Sequence, residues 1–84
     1  MKVTLKLYAG LTSYLPPEAR SSNFVVLEVA NGTTITQLVE PYNLPPKSVH
    51  LVLVNGTFVP PEQRGTRPLT EGDVLAIWPP IAGG

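Results

Sequence analysis

The chain has no cysteine anywhere in its 84 residues. That absence removes disulfide staples, a thiolate nucleophile and any Cys-ligated zinc or iron–sulfur centre. Chemistry on sulfur, if this protein does any, must use a group other than a thiol. Charge is scarce and balanced: six basic and six acidic residues give a formal net charge of +0. There is accordingly no electrostatic footprint for nucleic acid or for an anionic membrane. No apolar run approaches the ~20 residues of a membrane-spanning helix. Met1-Lys2-Val3-Thr4-Leu5-Lys6 alternates where a signal peptide would be continuously apolar. The expectation is a cytoplasmic protein with neither nucleic acid nor membrane as partner.

Catalytic groups are equally thin. His50 is the only histidine, and one imidazole without clustered carboxylates is a poor metal site. Its expected place is a strand on the open face of a sheet. Ser13, Ser21, Ser22 and Ser48 lack a nucleophile-elbow context and a partnered base. Glu71 and Asp73 flank Gly72 and read as turn formers, not as an acid–base pair. No Gly-rich phosphate loop is present, which argues against ATP binding by this chain alone. The body is expected to bind no metal or cofactor and to have no autonomous active site.

Proline is what the sequence has in excess, at 10 of 84 residues, while 43% of residues are hydrophobic. Four proline pairs, Pro16-Pro17, Pro45-Pro46, Pro60-Pro61 and Pro79-Pro80, place these residues in rigid connections. A chain this short makes one small domain, burying roughly 60–65% of the surface its unfolded form exposes.

Val3, Leu5 and Leu7 alternate with Lys2, Thr4 and Lys6, the period of a half-buried strand. Ala9 to Leu15 fits one or two helical turns with Leu11, Tyr14 and Leu15 on one side. Phe24 to Val29 is a second strand, closed by the Asn31-Gly32 turn signal. Thr34-Ile35-Thr36-Gln37 fits a capping box, and Ile35, Leu38, Val39 and Tyr42 continue at helical spacing. Pro41 ends the regular part of that helix near Glu40. Val49 to Val54 is a third strand, turned by Asn55-Gly56 into a short strand at Thr57 to Val59. Pro60 to Thr70 is irregular, and Val74 to Trp78 is the last strand. Leu75 and Ile77 face the core there, leaving Ala76 and Trp78 on the other side.

This order suits an α+β fold of the β-grasp, ubiquitin-like type. It is a mixed sheet of about five strands with one main helix on one face and the first and last strands adjacent and parallel. The opposite face is then free. Phe58, Trp78 and Val52 or Val54 are candidates for an apolar docking patch there. Packing of Trp78 over the first helical segment, as simple core, is the equal alternative.

The chain closes on Trp78-Pro79-Pro80-Ile81-Ala82-Gly83-Gly84. Pro79-Pro80 makes a stiff, extended exit, and Ile81 to Gly84 reach about 13 Å beyond it when fully extended. Two final glycines arise by chance in roughly 0.5% of chains. Lacking a Cβ, they are slim and permissive. The result is a thin peptide probe with a free carboxylate, suited to a narrow channel in another protein's active site.

The stretch from Glu71 to Gly84 resembles the C-terminal motif of the small subunit of molybdopterin synthase and related thiamine-type sulfur carriers. That motif has a Gly-Asp turn, an alternating apolar strand, an aromatic residue, Pro-Pro, an aliphatic, a small residue and Gly-Gly. Val54-Asn55-Gly56, Leu69 to Asp73 and Lys2 to Ala9 look like further family elements. The resemblance implies a β-grasp domain over residues 1–80 and a flexible tail over 81–84. It implies that a ubiquitin-activating-type enzyme, using ATP and magnesium, adenylates the carboxylate of Gly84. Sulfur from a persulfide then leaves a thiocarboxylate, which donates sulfur in an acceptor such as the large subunit of molybdopterin synthase. Gly83, Ala82, Ile81, Pro80, Pro79 and Trp78 are the implied binding residues, and Phe58 joins them from the apolar patch. Sulfur carriage for thiamine, cysteine or tungsten cofactor synthesis is one alternative. Conjugation to lysines through Gly84 is another, and a stand-alone binding module with an inert tail is a third.

Overall fold

A computed structural model describes residues 1–80 of the chain. The expected tail, with Ile81, Ala82, Gly83 and Gly84, lies outside the described residues. Strands β1 (Lys2–Leu7), β2 (Phe24–Glu28), β3 (Leu51–Val54), β4 (Thr57–Phe58) and β5 (Val74–Trp78) form one sheet. Their order is β2-β1-β5-β3-β4. β1 and β5 run parallel at the centre, and the other pairs are antiparallel. This is the β-grasp, ubiquitin-like architecture, with the parallel central pair expected of that fold and not of the hydropathy pattern itself.

One helix, α1 (Ile35–Val39), packs on one face. The capping box forms as expected: Gln37 N–H donates to Thr34 Oγ1 at 3.3 Å, and Thr34 N–H donates to Gln37 Oε1 at 3.0 Å. Regular helix ends at Val39 and continues as a single 3-10 turn over Glu40–Tyr42, with Pro41 inside it. The ring cannot donate the next i→i−4 bond.

Three of the proline pairs share one local geometry. Pro16, Pro45 and Pro60 are extended, with ψ of 146°, 131° and 154°. Pro17, Pro46 and Pro61 each open a 3-10 turn, Pro17–Ala19, Pro46–Ser48 and Pro61–Gln63. Pro at the first helical position loses only an amide that would be unsatisfied anyway. The segment from Pro60 to Thr70 is therefore less irregular than expected. Thr34 and Pro68 also bridge across it.

The core lies between sheet and helix. Val3, Leu5 and Leu7 of β1, Leu75 and Ile77 of β5, and Val52 and Val54 of β3 meet Ile35 and Leu38 there. Val52 and Val54 thus belong to the core and not to the free face. β3 begins at Leu51, two residues later than expected, because Pro46–Ser48 forms a turn whose end is Val49. β4 is only Thr57–Phe58, and Val59 turns inward to be fully buried. Leu11 of the 3-10 turn Ala9–Tyr14 and Leu15, which caps it, are core residues, but Tyr14 is 39% exposed.

Candidate functional site: the open face and the exit of the last strand

The face without a helix is built by the alternate residues of each strand. Pairing places Phe24, Lys6, Ala76, Leu53 and Phe58 in one row across all five strands. Leu51 and Trp78 are paired on the next row. Phe58 is 51% exposed, and by strand spacings it lies roughly 12 Å from Trp78 on the same surface. Leu51, Phe24 and Val26 are also among the exposed large apolar residues. Apart from Lys6 and Thr4 on β1, the middle of this face is apolar, as a docking surface would be.

Trp78 is half-buried. Its indole stacks on Tyr8 with ring centroids 4.0 Å apart and planes 7° from parallel. Tyr8 is the residue after β1, and the pairing of Leu7 with Ile77 brings the two rings side by side. Trp78 stands on the open face, and it also rests on the residue that leads into the first 3-10 turn. Its backbone is held from the other side: His50 N–H donates to the Trp78 carbonyl at 3.2 Å.

His50 is not a strand residue, in contrast to expectation; it lies just before β3. Its carbonyl accepts from Arg64 Nη2 at 3.3 Å, while Arg64 Nε donates to the Val59 carbonyl at 3.1 Å and Nη1 to the Val49 carbonyl at 3.4 Å. Burial lowers the guanidinium's pKa, partly opposed by the charge of Glu62. The arginine stays charged all the same. It ties the loop after β4 to the chain entering β3, and so braces the strand end from which Pro79 and Pro80 lead out.

The start of β5 is fixed by a second cluster. Asp73 is 8% exposed. Thr70 N–H donates to Asp73 Oδ2 at 2.8 Å, Thr70 Oγ1 to Oδ1 at 3.0 Å, and Asn55 Nδ2 to Oδ1 at 2.8 Å. Burial alone would raise the carboxyl's pKa, but these bonds and the charge of Arg67 outweigh it and hold the group below the usual carboxylate range. Asn55 Oδ1 also accepts from Val74 N–H at 2.9 Å. Gly72 sits at φ +82°, where a side chain would be strained. Asp73 is the structural turn residue that the sequence suggested, and more deeply engaged than a surface turn former. Tyr8 was not among the expected site residues. The signal for it was the continuation of the Lys2-Thr4-Lys6 alternation by one step beside Trp78.

Elsewhere the surface offers little chemistry. Among the described residues no group of three or more His, Cys, Asp or Glu side chains could hold a metal ion. No helix among them is long and apolar enough to cross a membrane. A groove of about 720 Å³ lies between the end of β2, the following turn and α1, next to Leu38 and Tyr42. Because Glu28 pairs with Lys2 and β1 runs parallel to β5, this groove is at the opposite end of the sheet from Trp78.

The fold is that of a ubiquitin-like β-grasp domain, small, with an apolar face beside the exit of its last strand. The chain belongs to the ThiS family of ubiquitin-like sulfur carriers, whose model matches residues 17–84. Among solved structures it is similar to SAMP1 from Haloferax volcanii, at 26% identity over 100% of both chains with a TM-score of 0.67. It shares its fold with a putative molybdopterin converting factor, subunit 1, from Pyrococcus furiosus (19% identity, 96% of this chain and 99% of the other, TM-score 0.67). The same holds for a chain from the complex of subunits 1 and 2 of molybdopterin-converting factor from Helicobacter pylori (17% identity, 100% of both chains, TM-score 0.57). No curated protein sequence matches the chain.

Proposed function

We propose that this chain carries sulfur as a thiocarboxylate on Gly84 and delivers it in the biosynthesis of molybdopterin. The observation that carries the proposal is the reach of the family match, which runs through Trp78-Pro79-Pro80 to Gly83-Gly84. A carboxylate is a poor acyl donor until it gains a leaving group. Attack of the Gly84 carboxylate on the α-phosphate of ATP releases pyrophosphate and makes that leaving group AMP. The terminal sulfur of a persulfide then displaces AMP, and a thiol cleaves the resulting S–S bond to leave the thiocarboxylate. ATP, magnesium and the electrostatic stabilisation of each step belong to a ubiquitin-activating-type partner. The chain contributes no catalysis and binds no cofactor itself. The acceptor is a larger synthase subunit, a reading supported by the assembly of subunits 1 and 2 in the Helicobacter pylori complex.

In this reading Trp78 and Phe58 anchor the partners on the open face. Pro79, Pro80, Ile81 and Ala82 thread the channel, and Gly83 and Gly84 let the reacting carbonyl approach without a Cβ. The test is the intact mass of protein purified from its host. A species heavier by about 16 Da, one oxygen exchanged for sulfur, that alkylates although the chain lacks cysteine identifies the thiocarboxylate. Fragmentation must place the mass at Gly84 and not at Met1, which can oxidise. Gly-Gly remnants on lysines of other proteins, with no thiocarboxylate after incubation with the activating enzyme, would refute the carrier reading in favour of a protein modifier.

A further inference from the structure

The two edges of the sheet are treated differently. β4 is two residues long and runs into Val59-Pro60-Pro61, so it offers almost nothing for another strand to pair with. β2 has five residues, Phe-Val-Val-Leu-Glu, without proline, glycine or lysine. The phase of its hydrogen bonds is set by Leu7 N–H donating to the Asn23 carbonyl at 3.0 Å and Val29 N–H donating to the Met1 carbonyl at 2.8 Å. In that phase Asn23, Val25, Leu27 and Val29 bond to β1, and the N–H and C=O groups of Phe24, Val26 and Glu28 point outward. Among the described residues nothing bonds to these outward groups. Apart from Glu28, both faces at this edge are apolar: Phe24 and Val26 are 42% and 56% exposed on the open side, and Val25 and Leu27 are only partly covered on the core side.

We infer that β2 is the pairing edge for a second copy of this chain, joined antiparallel about a two-fold axis at Val26. The strand is self-complementary in that register. Val26 meets its own symmetry mate, Phe24 meets Glu28 of the other copy, and each of these pairs exchanges both backbone hydrogen bonds. Val25 meets Leu27 of the other copy on the core side, so apolar groups face apolar groups. No like charges are opposed, because Glu28 is the strand's only charged residue and faces Phe24. Each Glu28 also stays beside the Met1 amine of its own copy, 3.0 Å away. The dimer is one continuous sheet of ten strands whose two open faces share a side, with both β5 exits left clear of the seam. A five-residue edge buries less than a standard interface of roughly 1,200–2,000 Å², so the association is weak and concentration-dependent.

The experiment is sedimentation equilibrium of the full chain from about 10 μM to about 1 mM, with amide hydrogen exchange at both ends of that range. Rising mass toward the dimer is expected, with exchange at Phe24, Val26 and Glu28 slowed at least ~10-fold at the high concentration. Val26→Lys puts a charge at the seam on an already exposed site and is expected to be monomeric and folded. Phe58→Lys, on the same face but at the far edge, is expected to dimerise like the parent. A monomer throughout the range would overturn the inference. So would a dimer that Val26→Lys leaves intact, or one that Phe58→Lys dissolves.

Discussion

The Tyr8–Trp78 stack is where fold and proposed function meet, and its removal is expected to have a measurable, divided effect. Full loss of a buried tryptophan costs about 3–5 kcal/mol. Trp78 is half-buried on the open face, so Trp78→Ala should cost about 1.5–3 kcal/mol. For a domain of this size each kcal/mol lowers Tm by roughly 4–8 °C. The stack itself, at 4.0 Å and 7°, is worth about 0.5–1.5 kcal/mol beyond area. A double-mutant cycle isolates it: Tyr8→Ala, Trp78→Ala and the double variant, each unfolded in denaturant and followed by circular dichroism. The two single losses should exceed the double loss by that 0.5–1.5 kcal/mol, and additivity within about 0.3 kcal/mol would refute an energetic stack. The functional half is read by titration against the activating enzyme. Trp78→Ala should weaken binding by about 30-fold, as an interface anchor worth about 2 kcal/mol does. Tyr8→Ala keeps the indole but frees its orientation, and should weaken binding several-fold less. A destabilised Trp78→Ala with unchanged affinity would assign the indole to the core alone.

Acid should destabilise the fold partly through Asp73. Its folded pKa is depressed, so its contribution is fully present above the unfolded value of about 3.9 and is lost as pH falls through the folded value. Asp73→Asn should lower stability at neutral pH and flatten the decline of Tm below about pH 4, and an unchanged acid limb would refute this. Thr34→Ala removes the acceptor for Gln37 N–H and should cost about 1 kcal/mol in chemical unfolding. Adding one bulky residue after Gly84 should abolish thiocarboxylate formation without moving Tm, since the core lies upstream; an extended chain that is still charged with sulfur contradicts the proposed role of Gly84.

Much of this fold was legible because local signals agreed with the final packing. The alternation in Lys2–Leu7 sets which residues of β1 are buried, and Thr34 and Gln37 form their capping box as written. β3 was harder for a physical reason. Leu-Val-Leu-Val is apolar at every position, and a continuous apolar run has no phase of its own. Its phase comes from pairing: Val52 lies opposite Ile77 and Val54 opposite Leu75, both core residues, so Leu51 and Leu53 take the open face. That long-range pairing is also why Val52 and Val54 belong to the core and not to the open face. The proline pairs are readable as rigid connections, but that Pro17, Pro46 and Pro61 start 3-10 turns is a property of the folded backbone. Phe24 and Val26 looked like ordinary strand residues, since whether a strand is central or an edge is a property of sheet order alone.

β5 does two jobs with one alternation. Leu75 and Ile77 are fully buried, while Ala76 and Trp78 stand on the open face between β1 and β3. A slip of one residue would exchange the two sets, so the ladder that stabilises the core also sets where the open face lies relative to Pro79. Three independent ties resist such a slip: the Asp73–Asn55–Thr70 cluster at the start of the strand, the Tyr8 ring against Trp78, and His50 on the Trp78 carbonyl. None of the three lies in the helix or its connections, and each comes from a segment adjoining a neighbour of β5 or β5 itself. Under the proposed function, a partner that grips the open face finds the chain leaving at Pro79 in a fixed place relative to that face.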